Sequence, residues 1–253
     1  MDKRKIFELL TNNFETEQMK EYYLDMCENI PDYIFTMPSS TSGKYHNKTQ
    51  CQPHGQLYHI FMFHSILEHL LRLKGNKERF VTPMERDCMR CVPAFHDAVK
   101  CGWNGSNHTV QNHPKLAAEW VMETEVAHDI DRQWKLIIAD MCEAHSGEWN
   151  KSKSGQVIMA EPRNDRELFI HECDILASRA DLDWTISDDL KKAIGEEVPE
   201  PSIDDYVIPI GKYKGEKLVK IFDEDEDYCH WMADNIEREP LRTMVRKLVY
   251  GDE

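Results

Sequence analysis

"ERDCMRCVPAFHDAVKCG", residues 85–102, sets two metal-ligand side chains, His96 and Asp97, next to each other inside an apolar run. Cys88, Cys91, Val92, Phe95 and Val99 recur at helical spacing, so the segment predicts a buried helix, kinked at Pro93 because proline has no N–H to donate. Adjacent residues on a helix point about 100° apart. His96 and Asp97 are therefore no ordinary one-face pair, but they can grip an ion from two sides or bridge two ions.

The same periodicity runs outward in both directions. Thr16 is placed to cap a helix with Met19, Tyr22, Tyr23 and Met26 inward, ended by "NIPD" at 29–32. The polar stretch "MPSSTSGKYHNKTQCQPHG", 37–55, reads as a loop, and "LYHIFMFHSILEHLLRL", 57–73, as a strongly apolar helix. His113-Pro114 opens another helix, with proline suited to the first turn. "IDRQWKLIIADMCEAH", 130–145, puts Ile130, Trp134, Ile137, Ile138 and Met141 on one face and ends at His145. "RELFIHECDILASRAD", 166–181, is the last long helix of this part.

The run "GEEVPEPSIDD", 195–205, mixes proline with acid and predicts a linker at about 195–204. Beyond it, "YVIPIGKYKGEKLVKIF", 206–222, reads as a strand, a glycine turn and a further short element. "DEDEDYCHWMADNI", 223–236, and "PLRTMVRKLVY", 240–250, read as two short helices, the second with Leu241, Met244, Val245 and Leu248 on a stripe. The chain is thus expected to be mainly α: a helical domain over 1–194 and a small α+β module over 205–253.

At 253 residues the chain can bury one full core beside a small appendage. The formal charge of -15 sets a long nucleic-acid duplex against net repulsion unless basic residues cluster. Residues 181–253 carry 20 acidic and 10 basic side chains, against 26 and 21 in residues 1–180, so the acid is concentrated in the tail. Several of the eight cysteines fall on apolar helical positions, and the opening "MDKRKIFELL" lacks a signal-peptide pattern, so a reducing, cytoplasmic setting is expected. No apolar run reaches the roughly 18 residues that span a bilayer. The sequence carries no signal of oligomeric state.

Among twelve histidines, most need no functional account. His64 and His69 read as helix-surface residues, and His171, three residues before Asp174, reads as a partner behind the site or a merely buried residue. Cys88-x-x-Cys91 fits the apolar stripe and has no second pair at finger spacing, so it reads as packed core rather than a zinc or redox pair. His59, His96, Asp97, His113, His145 and Asp174 differ, because each stands at a helix position from which side chains can converge. Neutral imidazole and carboxylate suit divalent Mn, Fe, Co, Ni, Zn or Mg, and a bundle builds such sites by aiming side chains inward from several helices. Gly-x-Ser-x-Gly and the phosphate-loop glycine-lysine pattern are both absent.

The order His, His-Asp, His, His, Asp, standing in "GQLYHIF", "FHDAVKCG", "NHPKLAAEW", "EAHSGEW" and "HECDILASR", resembles the HD phosphohydrolase superfamily over residues 30–180. The resemblance implies an HD-type helical bundle with His59, His96, Asp97 and Asp174 as core metal ligands. It implies His113 and His145 as the extra ligands of dinuclear members, with Asp97 bridging two ions. Lys100 stands at the HDxxK position and is implied to bind phosphate or stabilise charge. Two departures mark this chain: Gly55-Gln56-Leu57 where similar sequences read Gly-Gly-Leu, and a long polar loop carrying Lys44, Tyr45, His46 and His54. Lys44 and His46 are candidate substrate contacts on that loop.

The tail from 205 to 250 resembles a short Gly-Lys-Tyr-Lys-Gly module found at the end of some exonucleases and in small phage or bacterial proteins. Lys212, Lys214, Lys217 and Lys220 form a basic strip in an acidic tail, and Tyr213 is placed to stack on a base. The expectation is a hydrolase in which metal-activated water cleaves a phosphoester of a nucleotide or of single-stranded nucleic acid, as a nucleotidase or as a phosphodiesterase of 3′-to-5′ nuclease type. The alternative is a non-catalytic nucleotide- or protein-binding regulator on the same scaffold.

Overall fold

Apolar residues at three- and four-residue spacing are in helices throughout the structure, a computed structural model that describes residues 2–40, 46–106, 108–152, 154–179, 181–182, 186–198 and 202–251. It divides into two units, Met1–Glu196 and Glu197–Glu253, each with its own apolar core. Among the described residues antiparallel pairing is limited to two single bridges, Lys151 with Val157 and Val207 with Lys217. No helix among them is long and apolar enough to cross a membrane. All eight cysteines are free thiols, and all but Cys51 are buried.

The first unit contains α1 (Lys3–Glu8), α2 (Glu17–Glu28), α3 (Gly55–Leu71), α4 (Lys74–Arg79), α5 (Pro83–Phe95), α6 (His113–Glu123), α7 (Arg132–Ala144), α8 (Asp165–Ser178) and α9 (Asp188–Ile194). α5 lies at its centre, packed against α2, α3, α7 and α8. Every residue from Asp87 to Phe95 is buried, Cys88 and Cys91 among them, as the apolar stripe requires. At its start Thr82 caps the Glu85 amide at 3.1 Å and Pro83 fills the first turn.

α5 stops at Phe95 rather than carrying the helix on through Lys100. Pro93 offers no amide to the preceding turn, and the His96 ring Nδ1 takes the Pro93 carbonyl at 3.0 Å, competing with the backbone for the last carbonyls. Tight turns follow, with Ala98 N to Phe95 O at 3.1 Å, Lys100 N to Asp97 O at 3.0 Å and Gly102 N to Val99 O at 2.8 Å. His96 and Asp97 therefore sit at the helix end and in the turn after it.

Near the other end of α5, Asp87 has no exposed surface and accepts from the Thr16 amide at 2.8 Å, the Thr16 hydroxyl at 2.7 Å and Arg90 at 2.8 Å. Thr16 stands at the start of α2 as its sequence predicts, but its hydroxyl serves this buried carboxylate instead of capping its own helix. Arg90 continues the network to Glu68 at 2.7 Å and Glu15 at 2.9 Å. α1, α4 and α9 are shorter than the periodicity can signal. α9 is closed by its ends, Ser187 capping the Leu190 amide at 3.2 Å and Gly195 adopting a left-handed φ of 82°. His64, read as a surface residue, is buried instead, because α3 is apolar nearly all round; His69 is exposed.

The second unit holds α10 (Leu218–Glu224), α11 (Glu226–Asn235) and α12 (Leu241–Tyr250), the last burying Leu241, Met244 and Val245. The strand expected near residue 206 is shortened to a hairpin-like contact. Ile208 N bonds Glu216 O at 2.9 Å, and Leu218 N bonds Tyr206 O at 2.7 Å. Pro209 cannot donate to a ladder, and Gly211 turns the chain at a φ of 85°.

Replacing Asp87 by Ala removes the acceptor of the Glu15 and Thr16 amides while Arg90 keeps Glu68 and Glu15, and is expected to lower unfolding free energy by about 1–3 kcal/mol per stranded amide in urea titrations. An unchanged midpoint would contradict the anchoring role. Hydrogen bonding from Arg86, the largest influence, outweighs burial and holds the Glu15 carboxyl at about 2 in the folded state, against 4.5 as its ordinary value. A depressed folded pKa contributes stability above the unfolded value and loses it as pH falls toward the folded one. Glu15→Gln should therefore melt below wild type at pH 7, with the gap closing between pH 4.5 and 2; a gap independent of pH would refute this.

Candidate metal centre

The first turn of α3 is positioned by a contact that only glycine permits. A Cβ on Gly55 would lie 2.0 Å from the Gln50 carbonyl oxygen. Gln50 is itself buried and donates to the Ala177 carbonyl of α8 at 2.7 Å. This closure sets Gln56 and His59 on α3 opposite Asp174 on α8. His59 Nε2 lies 2.9 Å from Asp174 Oδ1 and 3.3 Å from His96 Nε2.

Asp97, 3 % exposed, stands between two sets of partners. Its Oδ2 lies 3.3 Å from His96 Nε2, while its Oδ1 lies 3.0 Å from His113 Nε2 and 3.9 Å from His145 Nε2. Two buried or half-buried clusters, His59 with His96 and Asp174, and His96 with Asp97 and His145, bring their ligand atoms close enough to hold a metal ion. A cation bonded at about 2.0–2.2 Å to N and O ligands sets neighbouring ligand atoms roughly 3 Å apart.

The protonation pattern tests that fit. A carbonyl only accepts, so a ring nitrogen facing one carries the proton. His96 Nδ1 faces Pro93 O at 3.0 Å, His113 Nδ1 faces Val110 O at 2.9 Å and His145 Nδ1 faces Cys142 O at 2.7 Å. With Nδ1 donating to a carbonyl, each ring turns its Nε2 toward Asp97. Asp97 Oδ1 has no hydrogen bond despite its proximity to His113, and it is buried. A buried carboxylate oxygen without a hydrogen bond is costly, and a divalent cation between it and the facing ring nitrogens would offset that cost.

The charges respond accordingly. Burial opposes ionisation of Asp97 most strongly, yet Lys100, then His96 and His113, outweigh it and hold the carboxyl well below its usual range. Burial likewise opposes ionisation of Asp174, and His59 leads the groups that overcome it. Burial pushes His145 down to about 3 and His46 to about 4, so both rings are neutral at pH 7. Burial lowers His96 too, but Asp97 draws a proton toward it and leaves it above its ordinary value.

Lys100 is buried, and its ammonium donates to Asp97 Oδ2 at 2.7 Å and Gln56 Oε1 at 3.0 Å. Gln56 Nε2 closes the ring on the same oxygen at 3.0 Å. His171 donates to the His145 carbonyl at 2.6 Å and meets Glu148 at 3.0 Å, so it supports the segment that carries His145.

His46, His59, Asp97, Lys100, His113, His145 and Asp174 all line one open cleft of about 320 Å³, joined by Ser146, Trp149, Ile175, Ser178 and Arg179. Lys44 and Tyr45 lie outside the described residues. Lys212, Tyr213 and Lys214 belong to the second unit, where Lys212 and the Tyr213 hydroxyl both bond Asp225, at 2.9 and 2.7 Å. Lys217 pairs with Asp205 and Lys220 with Glu216. Sequence reasoning missed Gln56, Trp149 and Arg179. Gln56 alone left a signal, as the departure from a second glycine before Leu57.

Comparisons of the chain with family models, with curated proteins and with solved structures find no match.

Elemental analysis of the purified protein is expected to find a bound divalent transition metal that is lost in His96→Ala and Asp97→Ala. Stripping wild type with a chelator should lower its melting temperature, since saturating a site at 100 times Kd stabilises by about 2.7 kcal/mol. A melting curve indifferent to both chelator and added Mn or Zn would remove the cluster from metal chemistry.

Proposed function

We propose that the chain is a metal-dependent phosphohydrolase of HD type, acting on a phosphoester of a nucleotide. One observation carries the reading: the buried Asp97 carboxylate turns one oxygen toward His96 and the other toward His113 and His145. Divalent cations would be held there by Asp97 together with His59, His96, Asp174, His113 and His145. Bound there, the cations would supply Lewis acidity toward water and a phosphoryl oxygen.

The chain's own residues do the positioning. Lys100 and Gln56 fix Asp97 through a closed ring of hydrogen bonds, so Lys100 acts on the carboxylate first and adds positive charge beside the cleft. The backbone carbonyls of Val110, Cys142 and Pro93 lock each imidazole in the tautomer that presents Nε2. His46 and Arg179 on the cleft wall are the candidate contacts for substrate oxygen atoms.

A small nucleotide is favoured over a nucleic-acid strand. The net charge of -15 repels a polyanion. In the second unit three of the four lysines expected to track a backbone are already paired with carboxylates.

With Mn, Co, Ni, Zn or Mg added, the protein is expected to release phosphate from nucleoside monophosphates faster than it degrades labelled single-stranded DNA or RNA. Asp97→Asn should abolish turnover. Lys100→Ala should lower it about 10- to 100-fold, the usual effect of removing a group that orients a metal ligand. Failure to cleave any nucleotide, cyclic dinucleotide or strand under any of these cations would leave the binding-protein alternative.

A further inference from the structure

The cleft has an outer wall whose shape is built as firmly as the cation cluster, and it ends in a large apolar ring held out to solvent. Trp149 lines the cleft and is 62 % exposed. It closes the short 3-10 turn Gly147–Trp149, which follows His145 and Ser146. Gly147 has a φ of 53°, and a Cβ there would lie 2.1 Å from the His171 ring. His171 is pinned in turn by the His145 carbonyl at 2.6 Å and the Glu148 carboxylate at 3.0 Å. The indole rests against that ring with centroids 5.9 Å apart. The residue that carries a candidate metal ligand and the residue that carries the indole are thus parts of one clamped turn.

A tryptophan braced on one side and exposed on the other, in a cleft whose floor is charged, is a platform for a flat apolar group. We propose that Trp149 is the specificity-determining residue of the cleft, stacking the nucleobase of a nucleoside monophosphate whose phosphate sits at the cation cluster; this rests on the hydrolase reading above for the phosphate but not for the base. Stacking engages the π-face that every base presents, and so tolerates base identity. The Ser178 hydroxyl donates to the Ile175 carbonyl at 2.9 Å, so that donor is not available to read a base edge. Selection by the stack alone is for the presence of a base rather than for one base.

The test pairs catalysis with binding. Steady-state hydrolysis of AMP, GMP, CMP and UMP, with ribose 5-phosphate as the base-free ester, is compared for wild type, Trp149→Ala and Trp149→Phe; equilibrium dialysis of the same five ligands is run on chelator-stripped protein. Trp149→Ala is expected to raise KM and Kd for all four nucleotides about tenfold or more, the scale of one lost base–aromatic stack. kcat should change less than threefold, and Trp149→Phe should recover most of the loss. KM for ribose 5-phosphate should move less than threefold, and the four wild-type nucleotide values should fall within about fivefold of one another. The inference is overturned if nucleotide KM and Kd ignore Trp149, if ribose 5-phosphate weakens in parallel, or if wild type binds none of the four. Trp149-dependent nucleotide binding without turnover would sink the hydrolase reading and leave this one standing; turnover indifferent to Trp149 would do the reverse.

Discussion

A carboxylate buried among imidazoles is the constraint on which the site depends. Burial opposes ionisation of Asp97, and Lys100, then His96 and His113, overcome it although one carboxylate oxygen has no hydrogen bond. Lys100 and Gln56 donate to the other oxygen, which also faces His96, while the first faces the ring nitrogens of His113 and His145. A buried network satisfied on one side and open on the other is unstable by itself. The fold holds that arrangement in place, as a site able to hold a divalent cation requires.

The central helix makes this possible. α5 is buried throughout its second half and fixed near both ends by aspartates. Asp87 gathers the chain before α2, while Asp97 gathers α3, α6 and α7 through their side chains. Pro93 and the His96 ring end the helix where the second aspartate must leave the helical path. The adjacency of His96 and Asp97, odd for a helix face, is natural at a helix end, where the turn aims successive side chains at different partners.

Much of this was legible in the sequence because it rests on periodicity and on residue types that water-filled loops do not require. The long helices follow from spacing, and His59, His96, Asp97, His113, His145 and Asp174 stand at helix positions that could converge, singled out as a set by their order's resemblance to the HD phosphohydrolases. What escaped rests on single contacts. Gln56 is informative only once Asp97 and Lys100 lie beside it. His64 looked like a surface residue because its spacing from His59 said nothing of α3 being enclosed. α1 and α9 are shorter than two turns, too few residues to show a period. Trp149 gave no sign, since an exposed indole after a glycine reads as an ordinary loop until the His171 clamp is seen. Three of the four lysines of the tail's basic strip have their charge offset by neighbouring carboxylates, which no linear reading of lysines can anticipate.

The free thiols give each unit its own internal reporter. Six of the buried cysteines lie in the first unit and Cys229 lies in the second. Burial pushes Cys88 up to about 12 and Cys229 up to about 11, so these sulfurs are shielded from reagents and also kept out of the reactive thiolate form. Alkylation at Cys229 therefore times the opening of the small module, and alkylation at the other six times the opening of the large one. The chain thus carries two separate labelling clocks without any engineered cysteine.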